Sequence, residues 1–513
     1  MEPLLEDPRP SVFLPQHVAL LLTALGVYLM STWIYNLYFH PLAGFPGPKI
    51  AAASGLYEFY YDVVKKGQYL YKIEEMHRQY GPIIRINPYE IVINDPSYYN
   101  DVYVTSNIRR TFLWPAYRSG VGFDKSHLLT EDHHLHRRRR KPLEPFFSRI
   151  GIIRMEEAII SEAESLNNRL EGLRGSSSVI CLDHVFTAFA ADVIAEVCYG
   201  SPSKMMTRDE FGADWHNLMR GLITQSVLFT QIPQLVHLTR LIPTGFLHRL
   251  GPGVAIFNEY REMMTQRVEQ AQRESAETRV HEKPTLFHHI MNSDMPASEQ
   301  SVERLTNEAM VIFGGGTGTI PHALALISYY ILSNQQIRER LGEELAPLMS
   351  DYPDNPPKST DLEKLPYLQA IMKEGLRLSY GVMRRLPRRS PDVALQYKQW
   401  TIPKGTPVGM GAYSLHTNSD VYPEPFNFIP ERWLGAYDPR MNESWVPFSR
   451  GSRKCLGSNL AMAEISWALA VLFRPNGPKL SLWETDRSDI TPIMDFHLPL
   501  PKLDSRGCRV MVE

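Results

Sequence analysis

Residues 448–457 read FSRGSRKCLG and run directly into SNLAMAEISWALAVLF, a helical stretch (458–473). One cysteine, Cys455, stands beside basic residues in a glycine-punctuated loop just before a helix start. The helix dipole and the flanking Arg453 and Lys454 favour its thiolate, and a thiolate calls for a metal or an electrophile. Alone, the stretch is equally compatible with a structural cysteine in a basic turn. The other cysteines, Cys181, Cys198 and Cys508, are far apart in sequence and no C-x-x-C pair occurs. That pattern speaks against a disulfide scaffold and a structural zinc site.

Two upstream stretches change the weight of the first. KEGLRLS puts Glu374 and Arg377 one helical turn apart on one face; by itself such a pair, if exposed, is worth under ~1 kcal/mol. PFNFIPERW holds an extended coil through Pro425 and Pro430, and its Arg432 offers a planar fork to a carboxylate.

In order and spacing, Glu-x-x-Arg, Pro-Glu-Arg-Trp and Phe-x-x-Gly-x-Arg-x-Cys-x-Gly resemble the cytochrome P-450 family. More narrowly, YFHPLAGFPGPKIAA, YGPIIRINPYEIVI and HRRRRKPLEPFFS look like fungal microsomal members related to trichodiene oxygenase. The resemblance implies a mainly α fold with small β-sheets and a haem b whose iron takes Cys455 as its thiolate ligand. Such a thiolate pushes electron density onto iron and favours O–O cleavage. Phe448 and Gly451 would shape and shield the loop, while Glu374, Arg377 and Arg432 brace it from behind. By the family pattern His136, Arg140, Arg388 and Arg453 face the haem propionates. The other cations of HHLHRRRRKP (133–142) are left for docking an acidic electron donor.

The same resemblance lays VIFGGGTGTIPH (311–322) across the distal face of the haem. Gly314, Gly315, Gly316, Gly318 and Pro321 together cost roughly 7 kcal/mol of helix preference, so something must gain from them. Close backbone approach to a flat macrocycle is one gain, and close helix packing through the Gly314/Gly318 spacing is another. A phosphate loop is the poorer reading, since no lysine stands at the required place. Thr319 aligns with the first threonine of the family's acid–alcohol pair, which puts Gly318 where a carboxylate is expected. Pro321 has no N–H for the carbonyl of Thr317. That carbonyl, the Thr317 and Thr319 hydroxyls and water are therefore expected to form the proton relay. Family analogy draws the substrate pocket from the 111–130 loop, Phe313, Gly314, Val382, Met383 and Phe496, and their apolar character favours an apolar ligand.

Of the 513 residues, 43% are hydrophobic and 21% charged, with a net charge of −2. This is ordinary globular composition, and the charge argues against nucleic acid as a partner. No Lys, Arg, Asp or Glu occurs between Pro10 and Pro48, and Val18 to Phe39 is long and apolar enough to span a bilayer, with Trp33, Tyr35 and Tyr38 near one end. No small-residue cleavage site follows it. The expected organisation is a short tail (1–17), a transmembrane anchor (18–39), a Pro-rich hinge (40–50) and one catalytic domain (51–513). Lys49, Lys65 and Lys66 against Arg9 favour a cytosolic domain on the endoplasmic reticulum membrane. Amphipathic runs predict helices around 153–173, 183–199, 211–227, 253–275, 303–333 and 361–378, and strands within 83–95 and 398–410. The charged stretch from Arg273 to Glu299 reads as a surface loop.

The functional expectation is a membrane-anchored haem-thiolate monooxygenase that inserts one atom of dioxygen into an apolar terpenoid or polyketide intermediate. Its electrons come from NADPH through a separate reductase, because the chain shows no flavin or nicotinamide module. The rivals are a haem-thiolate isomerase or dehydratase, prompted by Gly318, and a non-enzymatic haem sensor.

Overall fold

A computed structural model of the chain describes residues 13–118, 122–250, 252–277 and 285–513. Helix α1 (Phe13–Ile34) has no charged residue and extends through a wider turn, Tyr35–Phe39. It begins before the expected Val18, and the expected tail lies largely in residues 1–12, outside the described chain. None of the most apolar 18-residue window within His17–Phe39 is buried against protein, and the 23 residues of the span reach roughly 34 Å at 1.5 Å each, enough for a bilayer core. The hinge is strapped to the body. Arg85 N–H donates to Pro46 O at 2.7 Å, the Arg85 guanidinium donates to Asn36 O at 2.8 Å, and Asn36 Nδ2 donates to Ala53 O at 2.9 Å.

The body is built on helices α2 (His133–Arg140), α3 (Leu182–Tyr199), α4 (Ala213–Gln231), α5 (Pro252–Glu277), α6 (Val302–Leu332), α7 (Pro366–Leu378) and α8 (Ser458–Phe473). Helix α3 is apolar on nearly every face and is therefore buried all round. It lies along α6, the long central helix, with α8 completing the core. α7 approaches α6 so closely that a Cβ on Gly375 would stand 2.5 Å from Ile327 Cδ1. The stretch from Arg273 to Glu299 departs from the expected loop: α5 runs on to Glu277, and Leu286–Met291 forms another short helix that buries Leu286, Phe287 and Ile290. Charge in that stretch hid an amphipathic pattern.

Four small sheets among the described residues complete the fold. Strands Ile83–Arg85, Ile91–Ile93, Pro407–Gly409, Arg388–Arg389 and Phe112–Leu113 form, in that order, a five-stranded sheet. Strand Arg509–Val512 pairs Val179–Cys181 on one side and Leu480–Leu482 on the other. Hairpins Leu395–Tyr397/Trp400–Ile402 and Met494–Phe496/Leu498–Leu500 are the other two. Mainly α with small β-sheets is thus the observed class.

Candidate active site

The loop before α8 folds back on itself, with Cys455 N–H donating to Phe448 O at 2.8 Å. It also crosses the chain at Tyr103–Val104. Gly451 has φ +76°, and a Cβ there would lie 2.5 Å from Tyr103 O, so no larger residue fits. Phe448 packs edge-on against Trp445, ring centres 6.0 Å apart. Cys455 is exposed, yet burial pushes its thiol pKa up, with the Gly457 N–H, Arg140 and Lys454 pulling the other way. The thiol thus lies deep in the protein without being covered by it. The expectation that dipole and cations alone hold the thiolate is corrected: burial outweighs them.

Behind this loop Glu374 and Arg377 are fully buried. Arg377 donates to Glu374 through Nε (2.9 Å) and Nη2 (2.8 Å), Arg432 Nε adds a bond at 3.0 Å, and Trp433 Nε1 and the Ile429 N–H complete the set. Burial would raise the Glu374 pKa, but Arg377 and Arg432 outweigh it and hold the carboxyl below its usual range. Arg377 also reaches the carbonyls of His416 and Pro425.

On α2 the buried residues are His133, His136 and Arg140, while Arg137, Arg138 and Lys141 face solvent. His136 Nδ1 pairs with His127 O at 2.8 Å. Burial, and then Arg453, push its pKa down to about 2. Arg453 donates to Thr130 O and Glu131 O, leaving Nε buried without a partner among the described residues. Burial and the nearby Arg388 and Arg140 lower the Arg453 pKa to about 9. The structure therefore brings His136, Arg140, Arg388 and Arg453 together from three distant parts of the chain. The repulsion of Arg453 by Arg388 and Arg140 marks a buried positive cluster suited to an anion, with His136 a neutral neighbour.

The glycines of α6 divide by face. Gly314 abuts Tyr260 Oη (3.2 Å from an ideal Cβ), Gly316 abuts Ile194 of α3, and Gly318 abuts Leu498 (3.1 Å). Only Gly315 of these four opens onto free space. Val311, Gly315 and Thr319, at four-residue intervals, are the half-exposed to exposed residues of that face. Thr319 Oγ1 donates to Gly315 O at 2.8 Å. Thr317 is buried on another face, its hydroxyl committed to Phe313 O at 2.7 Å, so the two threonines do not share a face.

The expected pocket residues are dispersed. Phe313 packs with Tyr199 and Trp215, ring centres 5.9 and 6.2 Å away; Met383 packs with Leu70 and Tyr380; Phe496 packs with Val227 and Leu500. Val382 is half-buried. Large apolar side chains here fill gaps between elements in preference to facing open space. Sequence reading also missed two buried ion networks. Arg384 and Arg385 engage Glu58, Asp62 and Glu90, and His127 pairs with Glu308, which also binds Arg304. Apart from Arg304 and Glu308, one helical turn apart, the partners lie far apart in the chain, and no local pattern announces them.

Residues 56–476 match the family model described as Cytochrome P450. The chain belongs to the cytochrome P450 family. It is 58% identical over 459 residues to the cytochrome P450 monooxygenase tndB of Aspergillus flavipes, covering 86% of this chain and 95% of that one. It is 48% identical over 519 residues to the stellatic acid synthase of Emericella variicolor (96% and 94% covered). It is 47% identical over 494 residues to the fusicoccadiene C-8 hydroxylase of Alternaria brassicicola (94% of each). The P450 chain is accordingly a haem-dependent monooxygenase driven by reducing equivalents from a redox partner. Its residues fit that cofactor: an uncovered thiol, an unpartnered buried guanidinium nitrogen in a cationic cluster, and a glycine where a Cβ would fill open space.

Proposed function

We propose that this P450 hydroxylates or epoxidises an apolar terpenoid skeleton, with Cys455 ligating the haem iron. The uncovered thiol at the end of a braced loop carries the reading. A bound haem thiolate supplies the activation of dioxygen. The protein's share is positional. Gly457 N–H donates to the Cys455 sulfur and tunes it, while Phe448 covers the loop. Arg388, Arg453 and Arg140 balance the propionates, with neutral His136 beside them, and Gly315 and Thr319 form the distal wall. An apolar substrate agrees with the names of the stellatic acid and fusicoccadiene enzymes and with Val311, Gly315 and Val382 as surfaces open to it.

Electrons reach the P450 from an NADPH-dependent reductase docked near the exposed Arg137, Arg138 and Lys141. The protein is a single-pass resident of the endoplasmic reticulum membrane, anchored through residues 18–39, with the domain beyond the 40–50 hinge in the cytosol. Two measurements test the reading. Cys455→Ser is expected to lose the thiolate-type carbon monoxide spectrum and all monooxygenation, while Cys181, Cys198 and Cys508 are each replaceable without spectral change. Fusicoccadiene, titrated against the haem absorbance, is expected to shift the spectrum. Retained activity in Cys455→Ser overturns the ligand assignment.

A further inference from the structure

Thr317, Pro321 and His322 of α6 line a partly open cavity, with Asp183 and Thr187 of α3, His216 of α4 and the Leu498–Pro501 segment on its other sides. Its volume is about 50 Å³. A water needs roughly 10–15 Å³, so about three to five fit, while an organic ligand needs hundreds. The wall is polar where water would require it. Pro321 cannot donate to the Thr317 carbonyl. The Thr187 hydroxyl spends its one proton on Asp183 O at 2.6 Å, so at 3.0 Å it accepts from His216 Nδ1–H, which leaves His216 Nε2 as an acceptor. His322 Nε2 is buried and has no protein partner among the described residues; such a group asks for an explanation.

His322 sits three residues after Thr319, and residues so spaced are neighbours on a helix surface. It therefore stands between this cavity and the Val311–Gly315–Thr319 face. Meanwhile the place of a carboxylate at Gly318 is taken, since Leu498 Cδ1 would lie 3.1 Å from its Cβ.

We propose that His322, fed by water held in this cavity, relays protons from solvent to the distal face beside Thr319. The inference rests on the monooxygenase reading above and names the group that serves where the family's acid is missing. In each transfer His322 takes one proton from a cavity water and releases one to a water beside Thr319, returning to neutral imidazole. The cavity water is reprotonated from solvent past the half-buried His216. One proton moves, and no electron does. Burial, partly opposed by Asp183, lowers the His322 pKa to about 4, so the ring rests neutral and its imidazolium gives up a proton readily. His216 and Asp183 face the same cavity, with Arg220 and Asp489 at its margin.

A crystal structure of the holoenzyme is expected to show about three to five ordered waters joining the Thr317 carbonyl, His322 Nε2 and His216; a dry cavity overturns the proposal whatever the substrate. His322→Leu, first shown to keep the carbon monoxide spectrum, is then compared with wild type on fusicoccadiene as probe. With NADPH and reductase, product per NADPH is expected to fall about tenfold or more. With hydrogen peroxide as oxidant, which brings its own protons, the loss should stay within about twofold. His322→Asn, able to hold water but not to shuttle, should match His322→Leu in the NADPH reaction. Equal losses with both oxidants, or none, overturn the relay. If wild type oxidises fusicoccadiene with neither, the substrate reading fails, and the ordered waters alone decide the relay.

Discussion

The imidazole of His416 accepts the backbone N–H of Val446 at 2.9 Å. Its other nitrogen, necessarily the protonated one, donates to Arg377 O at 2.9 Å. One fully buried ring thus ties α7 and its Glu374–Arg377 pair to the segment leading into the Cys455 loop. His416→Ala orphans a buried N–H and a buried carbonyl and is expected to cost about 3 kcal/mol. Chemical denaturation would measure that loss, and the carbon monoxide spectrum would follow the loss of haem with it.

The same ring makes stability pH-dependent. Burial, and then Arg377, lower the His416 pKa to about 3, so in the fold it stays neutral while the unfolded ring titrates near 6.5. Its contribution is complete above about pH 6.5 and is lost as pH falls toward 3, by about 1.4 kcal/mol per unit. His416→Gln keeps a donor and an acceptor without a titration. Its unfolding free energy is expected to decline less steeply than wild type between pH 6 and 4, and parallel curves would contradict the assignment.

Glu374→Gln retains shape but turns an amide nitrogen toward Arg377, Arg432 and Trp433, all donors. Leaving those buried cations without their carboxylate is expected to cost about 3–5 kcal/mol, read as little or no haem-loaded protein. Arg432→Lys loses less, because Arg377 still binds Glu374 with two bonds.

Restoring the family's carboxylate by Gly318→Asp is expected to destabilise the protein by about 1–3 kcal/mol as the new Cβ displaces Leu498. Leu498→Ala in the same chain should recover part of that loss. A melting temperature for each variant decides it: equal destabilisation with and without Leu498 would mean that the crowding lies elsewhere.

Asn442-Glu443-Ser444 is the one N-x-S/T acceptor pattern in the chain. Asn442 is exposed on the short helix Pro439–Ser444. With the domain in the cytosol it stays unmodified, and deletion of residues 1–39 releases the protein from tight membrane attachment. A glycan on Asn442 would place the domain in the lumen and remove the proposed electron source.

What the sequence determined by itself is what local spacing encodes. The order and intervals around Glu374, Arg432 and Cys455 were enough for the family, and 3.6-residue periodicity placed α3 through α7 within a few residues. Apolar length alone marked the anchor, though α6 is long and apolar too, and only its burial (67% of its most apolar window, against none for the anchor) separates the two.

The tertiary structure decided which face of each helix meets what. A row of glycines says that something approaches a helix closely, but not from which side. Packing of Tyr260, Ile194 and Leu498 settled that Gly314, Gly316 and Gly318 serve neighbouring elements and left Gly315 open beside Thr319. In the same way it turned Phe313 and Met383 into core, set Thr317 apart from Thr319, and gave His416 and His322 their surroundings. Those roles depend on contacts between residues far apart in the chain, whose free energy comes from burial and satisfied hydrogen bonds, and no local pattern carries that information.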